Sequence, residues 1–468
     1  MAAVKEQQGR FLTGSTMGHV VRMTLAGAMG ITFVFLVDAA NLFWIAKLDQ
    51  PRLMAAIGFS FAIQFLSVSS GIGLMIAATA LISRGIGAGK RGLARRQATS
   101  VVILAFVIQS LVGLVILVFR HQILALSGAT GETAALAARY LAMTVPTLGV
   151  MAAGMIASAA LRAEGDAMRS MSVTLASGGV AMIIDPIMIY GLGMGLDGAA
   201  IGVVVSRFIM LGVAIYFATV SHDLLARPRR RDCWGSLRPY FIIAVPAIMT
   251  QLATPVGNYV MTAVMAQFGD DAMAGWAVVG RLTVVAFGGI FSLAGAIGGI
   301  FGQNFGARNY ERVRCTYRDA VIFGLIYTIV TWAILALSGP MIGRAFALEG
   351  LSMQVLTAFT TMGAGGFVFA GLLFVSNSAF NALGKPRRAT ATNWIRDGLL
   401  TLPIAIGLAA WFGATGVIYA QAVCSMLVGL AACLWGWHYV TCLNRQALPP
   451  LDLAPPRPYA NADRFRRR

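Results

Sequence analysis

Two passages of this chain occur twice, and the spacing between the copies is the same in both cases. Ser83-Arg84-Gly85-Ile86-Gly87-Ala88-Gly89-Lys90, with Arg95 beyond it, returns as Gly302-Gln303-Asn304-Phe305-Gly306-Ala307-Arg308, with Arg314 beyond it. Leu161-Arg162-Ala163-Glu164-Gly165-Asp166 returns as Phe380-Asn381-Ala382-Leu383-Gly384-Lys385, and both pairs are shifted by about 219 positions. Each passage interrupts long apolar runs, so the repeated unit is a bundle of membrane spans. Duplicated bundles of this kind build many secondary transporters, with the substrate site near the midplane between the halves.

Composition supports a membrane protein. Hydrophobic residues make up 58% of the chain and charged residues 12%, too few charges to cover the surface of a soluble fold of 468 residues. Twelve runs are long enough to cross the hydrocarbon as helices. They lie near 18–45, 53–81, 97–119, 134–161, 168–191, 196–220, 238–268, 273–301, 317–338, 351–381, 389–412 and 414–440. The expected fold is all-α, with six-helix lobes over 1–221 and 238–441, a linker over 222–237 and a basic tail over 442–468. An even number of spans per half orients both halves alike, related by an axis along the membrane normal.

The net charge of +18 is distributed by loop. One set of loops carries Arg84, Lys90, Arg91, Arg95 and Arg96, then Arg162 and Arg169, then Arg227, Arg229, Arg230, Arg231 and Arg238. It continues with Arg308, Arg312, Arg314, Arg318, Lys385, Arg387 and Arg388, whereas the alternate loops hold only Lys47, Arg52, Arg120, Arg139 and Arg344. This asymmetry places both termini in the cytoplasm and the protein in the cytoplasmic membrane. The tail from Arg464 to Arg468 then faces anionic headgroups, and nucleic acid is not the expected partner. No cleavable signal peptide precedes the first span. Cys233, Cys315, Cys424, Cys433 and Cys442 are scattered without metal-ligand spacing, so they read as free thiols, and no metal or cofactor is expected.

Gly85 to Lys90 has the look of a phosphate-cradling loop but lacks the following Ser or Thr and any preceding strand. It reads as a tight turn between spans 2 and 3. With no nucleotide site, transport would draw on an ion gradient. His19, His121, His222 and His438 are dispersed, and no nucleophile–base pair falls within the spans, so an enzyme is not expected. No ring of like charges or carbonyl filter argues for a channel.

Among the acidic residues, Asp38 and Asp185 fall well inside hydrophobic spans, while Asp319 and Asp397 read as close to the cytoplasmic ends of spans 9 and 11. A carboxylate in hydrocarbon costs roughly 2.5–3.5 kcal/mol on an insertion scale, so it needs a partner or a water-filled cavity. Such an environment disfavours the charged form, which makes each Asp a candidate proton carrier. Pro186, next to Asp185, removes a backbone donor and should bend or loosen the fifth helix there. Asn41 lies three residues after Asp38 on the same helical face. The repeat pairs this region with uncharged Asn258 in span 7. The second half offers Gln251, Asn258, Tyr259, Arg281, Asn377, Asn381, Asn393 and Gln421 as polar cavity groups, and 23 methionines suit a site that accepts many shapes.

These residues carry a resemblance along about residues 15 to 440. Leu36-Val37-Asp38, Arg84-Gly85-Ile86-Gly87-Ala88-Gly89, Leu161 to Asp166, Asp185-Pro186-Ile187-Met188-Ile189-Tyr190 and Gly198-Ala199-Ala200, in that order, resemble the multidrug and toxic compound extrusion (MATE) transporters. The resemblance implies a V-shaped pair of six-helix lobes around a cavity and cation-coupled export of small organic molecules; substrate, coupling ion and membrane lipids are the expected partners, and nothing in the sequence demands more than a monomer. It also implies that the Asp of the Asp-Pro motif, here Asp185, shares the coupling chemistry with an Asp in helix 1. Counted from the family's helix-1 proline, which is Ala26 here, that position is Asn41; the Leu-Val-Asp pattern instead gives Asp38. With the proline gone, Gly27 and Gly30 are left to supply flexibility, and Tyr190 joins the cavity candidates. The family's first-lobe sodium pattern has an Asn where this chain has Ala181 and a Thr where it has Val203, and the second-lobe carboxylates of other sodium-coupled members are missing from spans 7 and 10. Protons are therefore expected over sodium. A lipid-linked precursor flippase of the same superfamily is the alternative, with Arg281 and Arg207 as the deep cations that would hold pyrophosphate.

Overall fold

Apolar runs of this length leave the backbone one economical solution in lipid, which is to satisfy every N–H and C=O within a helix. The computed structural model describes residues 9–48 and 50–443, so Asp49 and the basic tail from 444 onward lie outside the described residues. Twelve helices are long and apolar enough to span a membrane. They are α1 (Thr16–Ala46), α2 (Arg52–Gly87), α3 (Arg91–Val118), α4 (Gly131–Glu164), α5 (Ala167–Gly191) and α6 (Leu196–Ser221). The second half contributes α7 (Arg230–Ala266), α8 (Asp270–Gly306), α9 (Tyr310–Ala345), α10 (Gly350–Ala382), α11 (Pro386–Phe412) and α12 (Ala414–Thr441). No strand occurs among the described residues.

The duplication is visible in the backbone. Gly165 ends α4 at φ 100°, and its repeat partner Gly384 ends α10 at φ 86°, the left-handed closure that glycine accepts without strain. Midway along α4 a 3-10 turn spans Val145–Thr147, and α10 has its counterpart at Gly363–Gly365. In α5 the helix widens to a π stretch, Ile187–Gly191, directly after Pro186. Packing repeats too: α1 lies on α8 as α7 lies on α2, and α2 meets α8 near the axis between the lobes.

That central contact changes the reading of the Gly-rich motif. The helix α2 does not stop at Gly85 but continues through Gly87, leaving only Ala88 and Gly89 in the turn. A side chain at Gly87 would run into the Gln303 carbonyl, and one at Gly306 into the Arg84 carbonyl. The glycines are there for helix–helix approach between lobes, which a local reading of the sequence cannot report. Two polar arms complete the same junction. The Arg84 guanidinium donates to the carbonyls of Ala382 at 2.8 Å and Asn381 at 3.1 Å. Gln303, the repeat partner of Arg84, donates to the Ala163 carbonyl at 2.6 Å, and Ala163 is the repeat partner of Ala382.

Residues 9–14 run across this junction. Phe11 is buried, its N–H donates to Gln303 Oε1 at 3.0 Å, and Arg312 donates to the Phe11 and Gly14 carbonyls. Among the described residues, the cross-lobe hydrogen bonds all fall in the half of the helices nearest the motif loops. The lobes are joined at that end and part toward the other.

The expected 222–237 linker is shorter than it reads, because α7 starts at Arg230. Residues 222–226 are strapped to lobe 1. Arg91 donates to the His222 carbonyl, Arg95 pairs with Asp223 at 2.6 Å, Thr99 and Ala226 exchange two bonds, and Leu224 is fully buried.

Candidate functional site

The deepest acidic group of lobe 1 sits where three helices meet. Asp185 is on α5, one residue before the proline that opens the π stretch, and is only 2% exposed. Its Oδ2 accepts from Asn41 Nδ2 of α1 at 2.8 Å. Its Oδ1 is buried without a hydrogen-bond partner and presses on Gly202 of α6, so closely that a side chain there would overlap the oxygen. Glycine at 202 is what lets α5 and α6 close around the carboxylate. Of the two helix-1 positions left open by the sequence, Asn41 is the one in contact with Asp185. Asp38 is exposed, one turn away, with no hydrogen bond or ion pair among the described residues.

Two residues that do not stand out in the sequence as Asp185 does complete this region. The hydroxyl of Tyr140 on α4 lies within electrostatic reach of Arg207, Asp185 and Asp38. Arg207 of α6 is 8% exposed, with no carboxylate against it. Its Nη1 donates to the Thr144 carbonyl at 2.5 Å and to Thr147 Oγ1 at 2.8 Å, and its Nη2 donates to Gln64 Oε1 at 2.8 Å. The guanidinium is enclosed by α2 and α4 rather than offered to a cavity. Its position on a hydrophobic span was the available signal, and the three neutral acceptors on separate turns were not readable from sequence. The apolar core of lobe 1 is divided into separate clusters, one of which includes Tyr140.

Ala181 and Val203, which the sequence sets beside Asp185, carry no side-chain oxygen. Among the described residues, the one side-chain hydrogen bond at Asp185 is from the Asn41 amide. A sodium ion needs several oxygens to replace its water, whereas a proton needs only the free lone pair of Oδ1.

The remaining candidates are spread. The Tyr190 hydroxyl donates to the Trp44 carbonyl, and the two rings meet edge to face, tying the end of α5 to the end of α1. The first helix runs unbroken from Thr16 to Ala46. A side chain at Gly27 would strike Ser292 of α8, so that glycine serves close packing, whereas one at Gly30 would only reach ordinary contact with Thr174 of α5. On the parted side of lobe 2, Asn258, Tyr259 and Arg281 are exposed, Tyr259 at 76%, and Gln251 and Gln421 are half-buried. Asn377 and Asn393 are buried and held inside lobe 2, by Thr392 and by the Ala389 carbonyl respectively. Asn381 is buried at the lobe junction, its carbonyl taken by Arg84.

Asp397 is not at the end of its span. Because α11 begins at Pro386, this residue falls in the body of the helix, on a π stretch, Trp394–Leu400. Its carboxylate accepts both a 2.7 Å bond from Arg396 Nε and a 2.8 Å bond from Nη2, with each side chain 10% exposed. Gly257 of α7 packs on this pair.

The comparisons agree with this architecture. The MatE family model matches residues 28–187 and 246–406, one stretch in each lobe. The FAD transporter of Shewanella oneidensis is 25% identical over 443 residues, covering 92% of this chain and 96% of that one. The multidrug export protein MepA of Staphylococcus aureus is 26% identical over 436 residues, covering 92% and 95%. Among solved structures, a mutant of the Vibrio cholerae MATE transporter VcmN superposes with a TM-score of 0.86 at 24% identity, covering 92% of this chain and 98% of its own. An outward-facing multidrug resistance MATE transporter gives 0.87 at 21%, covering 94% and 99%. A duplicated twelve-helix membrane fold, matched by the same family model in both lobes, makes this chain a member of the multidrug and toxic compound extrusion (MATE) family of transporters.

Proposed function

We propose that the chain is a proton-coupled antiporter that exports small organic molecules across the cytoplasmic membrane by alternating access. The observation that carries this reading is the enclosure of Asp185: one oxygen on Asn41, the other unpartnered against Gly202, with no side-chain oxygen at Ala181 or Val203 to help hold sodium. Proton binding removes a buried charge without needing space, and so changes how α1, α5 and α6 pack. Substrate drives the exchange through its different affinity for the two states.

The basic loops belong to the joined end of the molecule, so the positive-inside rule makes that end cytoplasmic and the parted end external. Both termini then face the cytoplasm, and Asn258, Tyr259, Arg281 and Asp38 line the opening. MepA, a multidrug exporter, supports a broad substrate range, and the FAD transporter relative extends the range of chemistry to be tried. The flippase alternative loses support from the enclosure of Arg207, which leaves only the exposed Arg281 of the two cations expected to hold pyrophosphate. Ethidium movement in inside-out vesicles carrying this protein tests the reading. Accumulation that follows an imposed pH gradient is expected; accumulation that follows a sodium gradient at constant pH contradicts it.

A further inference from the structure

Residues 9–14 lead into the first span of lobe 1, yet they are held by lobe 2. The Phe11 N–H donates to Gln303 Oε1 of α8 at 3.0 Å. Its carbonyl accepts from Arg312 Nη2 of α9 at 2.9 Å and from Asn304 Nδ2 of α8 at 3.4 Å. Arg312 also donates to the carbonyls of Thr13 at 3.3 Å and Gly14 at 3.0 Å. The anchoring continues into α1, where the Thr16 hydroxyl donates to Asp319 of α9 and the Thr24 carbonyl accepts from Ser292 of α8. Among the described residues, no hydrogen bond joins residues 9–14 to α2–α6. Lobe 1 supplies contact alone. The Phe11 ring, 2% exposed, fills the wedge between the end of α4 and α8. A side chain at Gly165 would meet this ring and Arg10 Cβ at 3.2 Å, and one at Gly299 would meet the ring at 3.4 Å.

We propose that residues 9–14 form a latch carried by lobe 2, which closes the joined end by seating Phe11 against lobe 1, and that the seam opened in the transport cycle runs between Phe11 and Gly165. The proposal rests on the alternating-access reading but not on which ion drives it. Alternating access requires the joined end to part in the other half of the cycle, and Phe11 cannot then keep both of its walls. The two walls differ in kind. Parting the ring from Gly165 separates apolar surfaces. Parting it from lobe 2 strips a buried backbone N–H and carbonyl of three side-chain partners at once, one of them a charged guanidinium. The segment therefore travels with α8 and α9, although the chain runs from it directly into α1.

The test uses the full chain with its five cysteines replaced by alanine, and ethidium transport in proteoliposomes. Arg10→Cys with Gly165→Cys ties the latch to lobe 1, at a Cβ separation of 3.2 Å that is close to the span of a disulfide. Thr16→Cys with Asp319→Cys ties it to lobe 2 in place of the bond already there. Oxidation of the first pair should abolish transport, with recovery on reduction, and oxidation of the second should leave the rate of the reduced protein. Undiminished transport with the first pair cross-linked, or equal loss with either pair, overturns the latch. Spin labels at the exposed Thr13, Lys90 and Glu311 report even where Gly165→Cys fails to fold. Dipolar distances during turnover should divide into two populations for Thr13–Lys90 and stay single for Thr13–Glu311; the reverse pattern overturns the proposal. A cysteine-free parent that moves no ethidium under any gradient overturns the transport reading and the latch with it.

Discussion

The two lobes share a backbone and divide the chemistry. Most of the lobe 2 core belongs to one large apolar cluster, which also takes in residues of α1 and α5, with a small second cluster at Leu373, Val428 and Ala432, and Arg396 and Asp397 hold each other in two short bonds on adjacent residues. Lobe 1 breaks its core into several clusters and keeps its buried aspartate and arginine apart, one on an amide and the other on neutral acceptors. A satisfied ion pair gains little from a proton, because protonation would leave Arg396 stranded. An unpaired carboxylate gains a great deal. The junction between the lobes is also asymmetric, with Arg84 as one arm and neutral Gln303 as the other.

The largest effect on stability is expected at the lobe-2 pair. Asp397→Asn strands a buried guanidinium and should lower stability by about 3–5 kcal/mol, seen as a large drop in the thermal midpoint in detergent. A silent Asp397→Asn would mean that the pair does not stabilise lobe 2. At the junction, Arg84→Ala removes two charge-assisted bonds, worth about 1.5–3 kcal/mol, whereas Gln303→Ala should cost about 1 kcal/mol. Reactivity of a cysteine introduced by Ser83→Cys, now fully buried at the joined end, should rise more with the first than with the second.

Next in size is the clamp that straps the linker to lobe 1. Asp166 caps α5 by accepting from the Arg169 N–H at 3.1 Å, and its other oxygen meets the His222 ring at 2.8 Å and Arg169 Nη1 at 3.0 Å. Burial works against the charged carboxylate, but the Arg169 backbone bond and the His222 and Arg169 contacts outweigh it and hold Asp166 below the usual carboxylate range. A carboxylate lowered in this way contributes stability in full above its ordinary value and loses it as pH falls through the lowered one. Limited proteolysis between residues 222 and 229 should therefore stay slow from neutral pH down through the ordinary aspartate range and accelerate only below it. Asp166→Asn should make the same segment cleavable at neutral pH, and an unchanged cleavage rate would remove the clamp from the account. The smallest effect compares Gly89, at φ 71°, with its repeat partner Arg308, at φ 58°. Arg308→Gly relieves a left-handed arginine and should stabilise by about 0.5–1 kcal/mol, measured as a modest rise in the thermal midpoint.

Hydropathy located all twelve helices, because in lipid the length of an apolar run fixes the element, and the repeat exposed the lobes. Asp185 was legible for the same reason: a lone carboxylate stands out in an apolar run. What depends on which helices touch was not. Gly87 read as a turn residue, since only the facing Gln303 carbonyl reveals why it has no side chain. Asp397 read as close to a helix end, whereas the start of α11 at Pro386 puts it in the body of the span, paired with Arg396. Asn41 and Asp38 stayed tied until the packing of α1 against α5 placed one of them on Asp185. Tyr140 gave no local signal at all, because an aromatic residue in a span is ordinary until charges on other helices converge on it.

Responsibility of lobe 1 for coupling is the central claim, and proteoliposomes tell it apart from its rivals most directly. Ethidium transport driven by an imposed pH gradient should be compared among wild type, Asp185→Asn and Asp38→Asn at equal amounts of inserted protein. Loss of gradient-driven transport in Asp185→Asn, down to the level of protein-free vesicles, with partial activity in Asp38→Asn, is the predicted result. Wild-type transport by Asp185→Asn would contradict the account and move coupling out of lobe 1.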